Sequence, residues 1–249
     1  MPAGGIGGFM GGEEQNMKKN SCCALVLLAA ALACAAAEGP ARPTPAKGKL
    51  LVSDDFARTG LGDWKAVIPT FTVTNGVLVG SQTRADHGSV GSVKAGFRDG
   101  VIEFKFRLEG STGFNAVCDD KAFKGSHAGH ICRVVVAPKQ IRLADDKEGA
   151  MRNDIFELRR DPKRKAEGDK LLAGRSAAAP VQLEQHRWYR MSIEIAGDEM
   201  RVSLDDKAIG HLKSPGLAHP NKSDFHFTVN GKDAHFDGVR IFTADVKPQ

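Results

Sequence analysis

The stretch "VIEFKFRL" (Val101–Leu108) decides the fold class. It sets Ile102, Phe104, Phe106 and Leu108 on one face and Glu103, Lys105 and Arg107 on the other. Alternation with a period of two residues is the mark of a strand with one face buried and one wet. The pattern returns in "YRMSIEI" (Tyr189–Ile195), "MRVSL" (Met200–Leu204), "FHFTV" (Phe225–Val229) and "VRIF" (Val239–Phe242). Turn signals of the "NG", "GD" and "DG" kind punctuate these runs. Further strands are expected in "LLVSDDF", "FTVTNGVLVGS", "GSVGSVKA" and "QIRLAD". The expectation is an all-β fold of antiparallel strands, a sandwich or barrel. One segment, 155–186, breaks the rhythm. It is charged and alanine-rich, and reads as an excursion with a helical turn or two.

Outward from this core, the N-terminal region sets the compartment. From Met17 the chain reads "MKKNSCCALVLLAAALACAAAEG". Lys18 and Lys19 precede a short apolar run that ends at the small residues Ala35, Ala36 and Ala37. That is the layout of a secretory leader, and the run is too short and alanine-rich for a membrane span. Residues 1–37 are therefore read as leader, 38–49 as a proline- and alanine-rich tether, and 50–249 as the domain. The protein is expected to be exported, periplasmic or extracellular, with no membrane span in its mature form. Cys34 in "ALAC" offers a lipoprotein as the alternative.

Removal of the leader takes Cys22, Cys23 and Cys34 and leaves Cys118 and Cys132, which bound the stretch "CDDKAFKGSHAGHIC". In an oxidising compartment such a pair is expected to form a disulfide. A metal site with His127 and His130 is the competing reading, but its spacing fits no common zinc pattern. Register favours the bridge. Pairing Cys118 opposite Cys132 sends Phe114, Ala116, Val134 and Val136 inward together and leaves Asn115, Val117 and Arg133 outside.

The net charge of +5 owes much to one run, "RRDPKRK" (Arg159–Lys165). No aromatic residues interleave with it and no nucleic-acid module surrounds it, so nucleic acid is excluded as a partner. An anionic polymer remains a third reading for that loop.

The order "SDDF…LGDWK…FTVTNGVLVGS…FRDGVIEFKFRL…STGFNAV…IEIAGDEMRVSLDD…FHFTVNG…HFDGVRIF" resembles the 3-keto-disaccharide hydrolase domain family over roughly Leu50 to Phe242. The resemblance implies a concanavalin A-like jelly-roll β-sandwich of two antiparallel sheets, related in shape to family-sixteen glycoside hydrolases. It implies carbohydrate as partner and no required cofactor. The glutamate-x-aspartate-x-x-glutamate run of family-sixteen enzymes is absent, the nearest approach being "NDIFE" (Asn153–Glu157). Two functions therefore stand side by side, a glycoside hydrolase-like enzyme and a non-catalytic carbohydrate-binding or adhesion module.

Candidate site residues come from the outward positions. Glu103 and His226 are the candidate acid and base, His226 because it lies between the inward Phe225 and Phe227. Asn115 and Arg133, with Trp188 and Glu194, are the candidate saccharide contacts, while Trp64 reads as a core anchor. A structural calcium ion would be held by Asp55 and Asp237 if the first and last strands pair.

Overall fold

The computed structural model describes residues 45–245. The leader, its three cysteines and most of the tether lie outside the described residues. The chain forms β1 (Ala46–Asp54), β2 (Lys65–Ile68), β3 (Phe71–Thr74), β4 (Val77–Gly80), β5 (Ser89–Phe97), β6 (Gly100–Asp119), β7 (His130–Ala137) and β8 (Gln140–Asp145). Two short helices follow, α1 (Asn153–Arg160) and α2 (Lys165–Lys170). Then come β9 (Ser176–Pro180), β10 (Tyr189–Ala196), β11 (Glu199–Leu204), β12 (Lys207–Lys213) and β13 (Lys222–Asp245). β1 thus begins at Ala46, inside the stretch read as tether, and pairs with the end of β13. The segment 155–186 contributes α2 and also the edge strand β9, which pairs with β8. Among the described residues no helix is long and apolar enough to cross a membrane.

Two long strands organise everything else. The first half of β6 pairs with β10 and with Ala234–Thr243 of β13, and β11 and β12 extend that layer. β1 and the β3–β4 hairpin complete it on the far edge of β13. The second half of β6 pairs instead with β7 and with Asp224–Asn230 of β13. This second layer runs β9-β8-β7-β6-β13-β5-β2. All these pairings are antiparallel. β6 and β13 therefore pass from one sheet to the other through a shared corner, as strands at sandwich corners do.

The corner has a visible cause. The ladder between β6 and β13 slips at Asn230, Gly231 and Asp233, opposite Glu109–Gly113. Ser111 accepts a hydrogen bond from the Gly113 N–H (3.0 Å) and donates to the Asn230 carbonyl (2.8 Å), pinning the bend. Gly113 has φ +142°, and a Cβ there would lie 2.2 Å from the Val136 carbonyl oxygen, so the chain can turn here only with glycine.

Between the layers lies one core. Phe227 stacks on Phe236 with ring centroids 3.9 Å apart and on Trp64 at 5.6 Å. Phe104 and Phe114 meet this stack edge-on. Trp64 is the core anchor expected of it, and its Nε1–H donates to Asp54 at 3.1 Å. The inward and outward sets read from alternation hold on β6, β10 and β13: Phe104, Phe106, Met191, Ile193, Phe225 and Phe227 are all buried.

Candidate functional site

The outer face of the second sheet carries a cleft of about 650 Å³. Its floor follows from strand parity. Because Phe225, Phe227 and Val229 point into the core, Asp224, His226 and Thr228 of β13 point into the cleft. Because Phe114, Ala116 and Cys118 point inward, Asn115 and Asp119 of β6 point outward. On β7, Arg133 faces the cleft by the same rule.

His130 reaches the cleft by breaking the rule. The β6–β7 ladder pairs Cys118 with Cys132 and then Asp119 with His130, so Ile131 is an extra residue, a β-bulge. Strict alternation would turn His130 to the core side with Cys132. The bulge buries Ile131 completely and brings His130 round to the cleft face, a re-aiming for which bulges serve. The carbonyl of Ile131 accepts the N–H groups of Asp146 and Lys147, which fixes the kink.

These strands converge on one carboxylate. The Asp119 side chain is fully buried; its Oδ1 lies 2.6 Å from His130 Nδ1, and its Oδ2 lies 3.1 Å from His226 Nδ1. Lys121, a half-exposed side chain, donates to Oδ2 at 2.5 Å. Burial opposes ionisation of Asp119, but the hydrogen bonds from His130 and His226 outweigh it and hold the carboxyl far below the usual range. Burial pushes His226 below its ordinary range, and the pull of Asp119 the other way does not overcome it. Both rings thus turn Nδ1 to the carboxylate, which orients Nε2 away from it. At the rim His127 stacks on Phe156, centroids 4.1 Å apart.

Asn115, Arg133 and His226 are brought together, as the sequence reading required. Arg133 donates through Nε to the buried Asp146, while its Nη2 is buried without a protein partner. Glu103 and Glu194 are not part of this group. They lie on the outer face of the first sheet, across the whole core from His226, so Glu103 and His226 cannot flank one bond. Glu103 is paired with Lys47 at 2.6 Å, and burial raises the Glu194 carboxyl above its usual range. Trp188 is likewise away from the cleft, with the Arg107 guanidinium 5.0 Å from its ring. Asp55 caps a turn by accepting the Ala57 N–H, and Asp237 pairs with Lys105 at 3.3 Å. Neither belongs to a cluster of three or more donors among the described residues; Asp119, His130 and His226 form the one such cluster. Asp119 and Lys121 are not among the sequence candidates, although Asp119 shares the parity of Asn115 on β6.

The cysteines sit directly opposite each other, as their register implied, and both are buried. They are free thiols here, so the expected bridge is not closed. A hydrogen bond with Cys118, and then burial, push the Cys132 thiol well above its usual range, which slows attack by a thiolate. The mixed Cys/His metal reading is overturned: the thiols point into the core and the histidines into the cleft, with the sheet between them. Treating the purified chain with diamide is expected to convert the two thiols to a disulfide as diamide is reduced to its hydrazine. Peptide mass mapping then shows Cys118 linked to Cys132; thiols that survive the oxidant count against the bridge.

No protein-family profile matches this chain, and no curated protein matches it in sequence. Solved structures do match in shape. A laminarinase from Flavobacterium sp. UMI-01 aligns with TM-score 0.54 at 12% identity, over 78% of this chain and 100% of its own. Porphyranase B from Zobellia galactanivorans aligns with TM-score 0.54 at 11% identity, over 85% and 98%. The carbohydrate recognition domain of Emp47p gives 0.52 at 14%, over 83% and 100%. The fold is a concanavalin A-like jelly roll. At such identities the likeness is one of architecture.

Proposed function

We propose that this domain is carbohydrate-active, that a saccharide lies in the cleft of the second sheet, and that it reacts over Asp119, His130 and His226. The observation that carries the proposal is the buried carboxylate holding two imidazoles at the floor of an open cleft. Asn115 and Arg133 line the same cleft, and an amide beside a guanidinium suits sugar hydroxyls. Jelly rolls among glycosidases and lectins support saccharide as the ligand, though architecture alone assigns no activity. The leader read from Met17 makes extracytoplasmic saccharides the substrates.

Glycosidases of the usual kind set two carboxyl groups about 5 to 9.5 Å apart across the scissile bond. Asp119, spent on holding two rings and a lysine, suits that role poorly. A sugar already oxidised to a 3-ketone suits the site better, in keeping with the family resemblance. The ketone acidifies the hydrogen on C2, so a base of the cluster can take that proton. The electrons of the C2–H bond form the C1–C2 double bond as the C1–O bond to the aglycone breaks. Water then adds across the double bond, which completes a net hydrolysis. Arg133 and Lys121 line the cleft, and their positive charge favours the electron density drawn toward the ketone oxygen as the C2–H bond breaks.

Incubating the full chain with 3-keto-glucosides and with ordinary disaccharides tests this. Consumption of the keto sugars is expected, and it should fall in Arg133→Met. Saturable binding without turnover would reduce the domain to the carbohydrate-binding module that the sequence left open, and neither binding nor turnover would end the proposal.

A further inference from the structure

We propose that Asp119, His130 and His226 form a binding site for one transition-metal dication of the Zn²⁺ class. One donor atom from each residue lies within 4.8 Å of the other two, and no other group of three such residues exists among those described. Two imidazole nitrogens and a carboxylate oxygen are the donor set of borderline metals, whereas Ca²⁺ and Mg²⁺ take oxygen ligands throughout.

Three features argue that the cluster is built and not incidental. First, its members come from three neighbouring strands in fixed register: Asp119 pairs with His130 on one side and with Asp224 on the other, and His226 pairs with Val117. Second, His130 reaches the cleft face only through the bulge at Ile131, which turns its ring toward Asp119. Third, the carboxylate is held ionised at a buried position. A fully buried carboxylate sits between two imidazoles, and the ammonium beside it belongs to Lys121, whose side chain is 54% exposed. A dication at the cluster supplies positive charge from within.

Binding requires only local change. Each imidazole moves its proton from Nδ1 to Nε2 and offers the freed lone pair, and the Lys121 ammonium swings to solvent. Three protein ligands under an open cleft leave positions for water or a substrate oxygen, the arrangement of metal sites that act on substrates. The cation site stands on the cluster geometry; its role, polarising a sugar carbonyl or holding a hydroxide, rests on the proposed function.

Calorimetric titration of the chelator-stripped full chain with Zn²⁺, with Ca²⁺ as the comparison, tests the site. One Zn²⁺ per chain is expected, with Ca²⁺ far weaker. His226→Ala and His130→Ala are expected to weaken Zn²⁺ by at least about 100-fold, the upper end of what loss of a residue behind a ligand costs. Lys121→Met, at a half-exposed position that leaves the fold intact, is expected to bind several-fold tighter because it removes a competing cation. Absence of binding, histidine variants that bind like wild type, equal affinity for Ca²⁺, or no gain in Lys121→Met would each overturn the site. A chain that binds Zn²⁺ here but neither binds nor turns over saccharide keeps the site and loses the proposed function. Turnover by a metal-free chain that takes up no Zn²⁺ does the reverse.

Discussion

His226→Ala lowers turnover of the keto sugar by about 10²–10⁴-fold, the range for losing a positioned proton-transfer group, while the chain stays folded. His226 is the least replaceable member of the cluster. It is almost wholly buried, and it contributes both a proton-carrying ring and one of three converging donor atoms. Asp119 keeps His130 and Lys121 when His226 is lost, so the buried carboxylate does not become an orphan. The stability cost is therefore about that of one missing hydrogen-bond partner, roughly 1–3 kcal/mol. Glu103→Gln is the informative companion. Glu103 lies on the opposite outer face with Lys47 as its partner, and its variant turns over at the wild-type rate. Steady-state kcat and kcat/KM for both variants, with circular dichroism as the fold control, decide the matter. A His226→Ala enzyme within roughly tenfold of wild type would remove the cluster from the chemistry.

The contrast between these two residues shows what the sequence could tell. Alternation located inward and outward sides strand by strand, and it was right for Glu103, Asn115, Arg133 and His226 alike. What it lacked was the identity of the sheet on which each outward side chain lies. A jelly roll has two outer faces, and β6 contributes to both because it bends at Gly110–Gly113. Glu103 and Asn115 share one strand and one word, outward, yet face away from each other across the core. The bend itself was readable in principle, since "EGSTG" places two glycines and a serine in mid-strand, a pattern that marks bulges. His130 was hidden for a different reason. Its side is set by a bulge, and one inserted residue reverses every parity argument beyond it. Trp188 and Glu194 lie apart from the cleft together with Glu103, being carried by β10 and the turn before it on the first sheet. The cysteine register, by contrast, depends only on two adjacent strands and was legible in full.

Phe227→Ala is the stability experiment with the largest expected effect. Phe227 is completely buried, stacked between Trp64 and Phe236, and it meets Phe104 and Phe114 edge-on. Truncation removes the ring and leaves a cavity lined by these three phenyl rings and an indole's flank, which cannot close by rotamer changes. The loss is about 3–5 kcal/mol. For a domain of this size each kcal/mol lowers Tm by about 2–4 °C, so a fall of roughly 6–20 °C is expected in a calorimetric melt. Thr228→Ala, one residue further on the same strand but facing the cleft, serves as control and shifts Tm little. A small change in Phe227→Ala would show that the two sheets are not sealed by this stack. The consequence reaches the site. His226 is fixed between Phe225 and Phe227, whose rings lock the backbone that aims it at Asp119. Phe227→Leu, which keeps apolar volume but loses both stacks, therefore leaves a folded protein in which His226 is held less firmly. Its kcat falls more than its melting temperature would suggest, and the deficit tracks the cluster, since Thr228→Ala shares the strand without disturbing either ring.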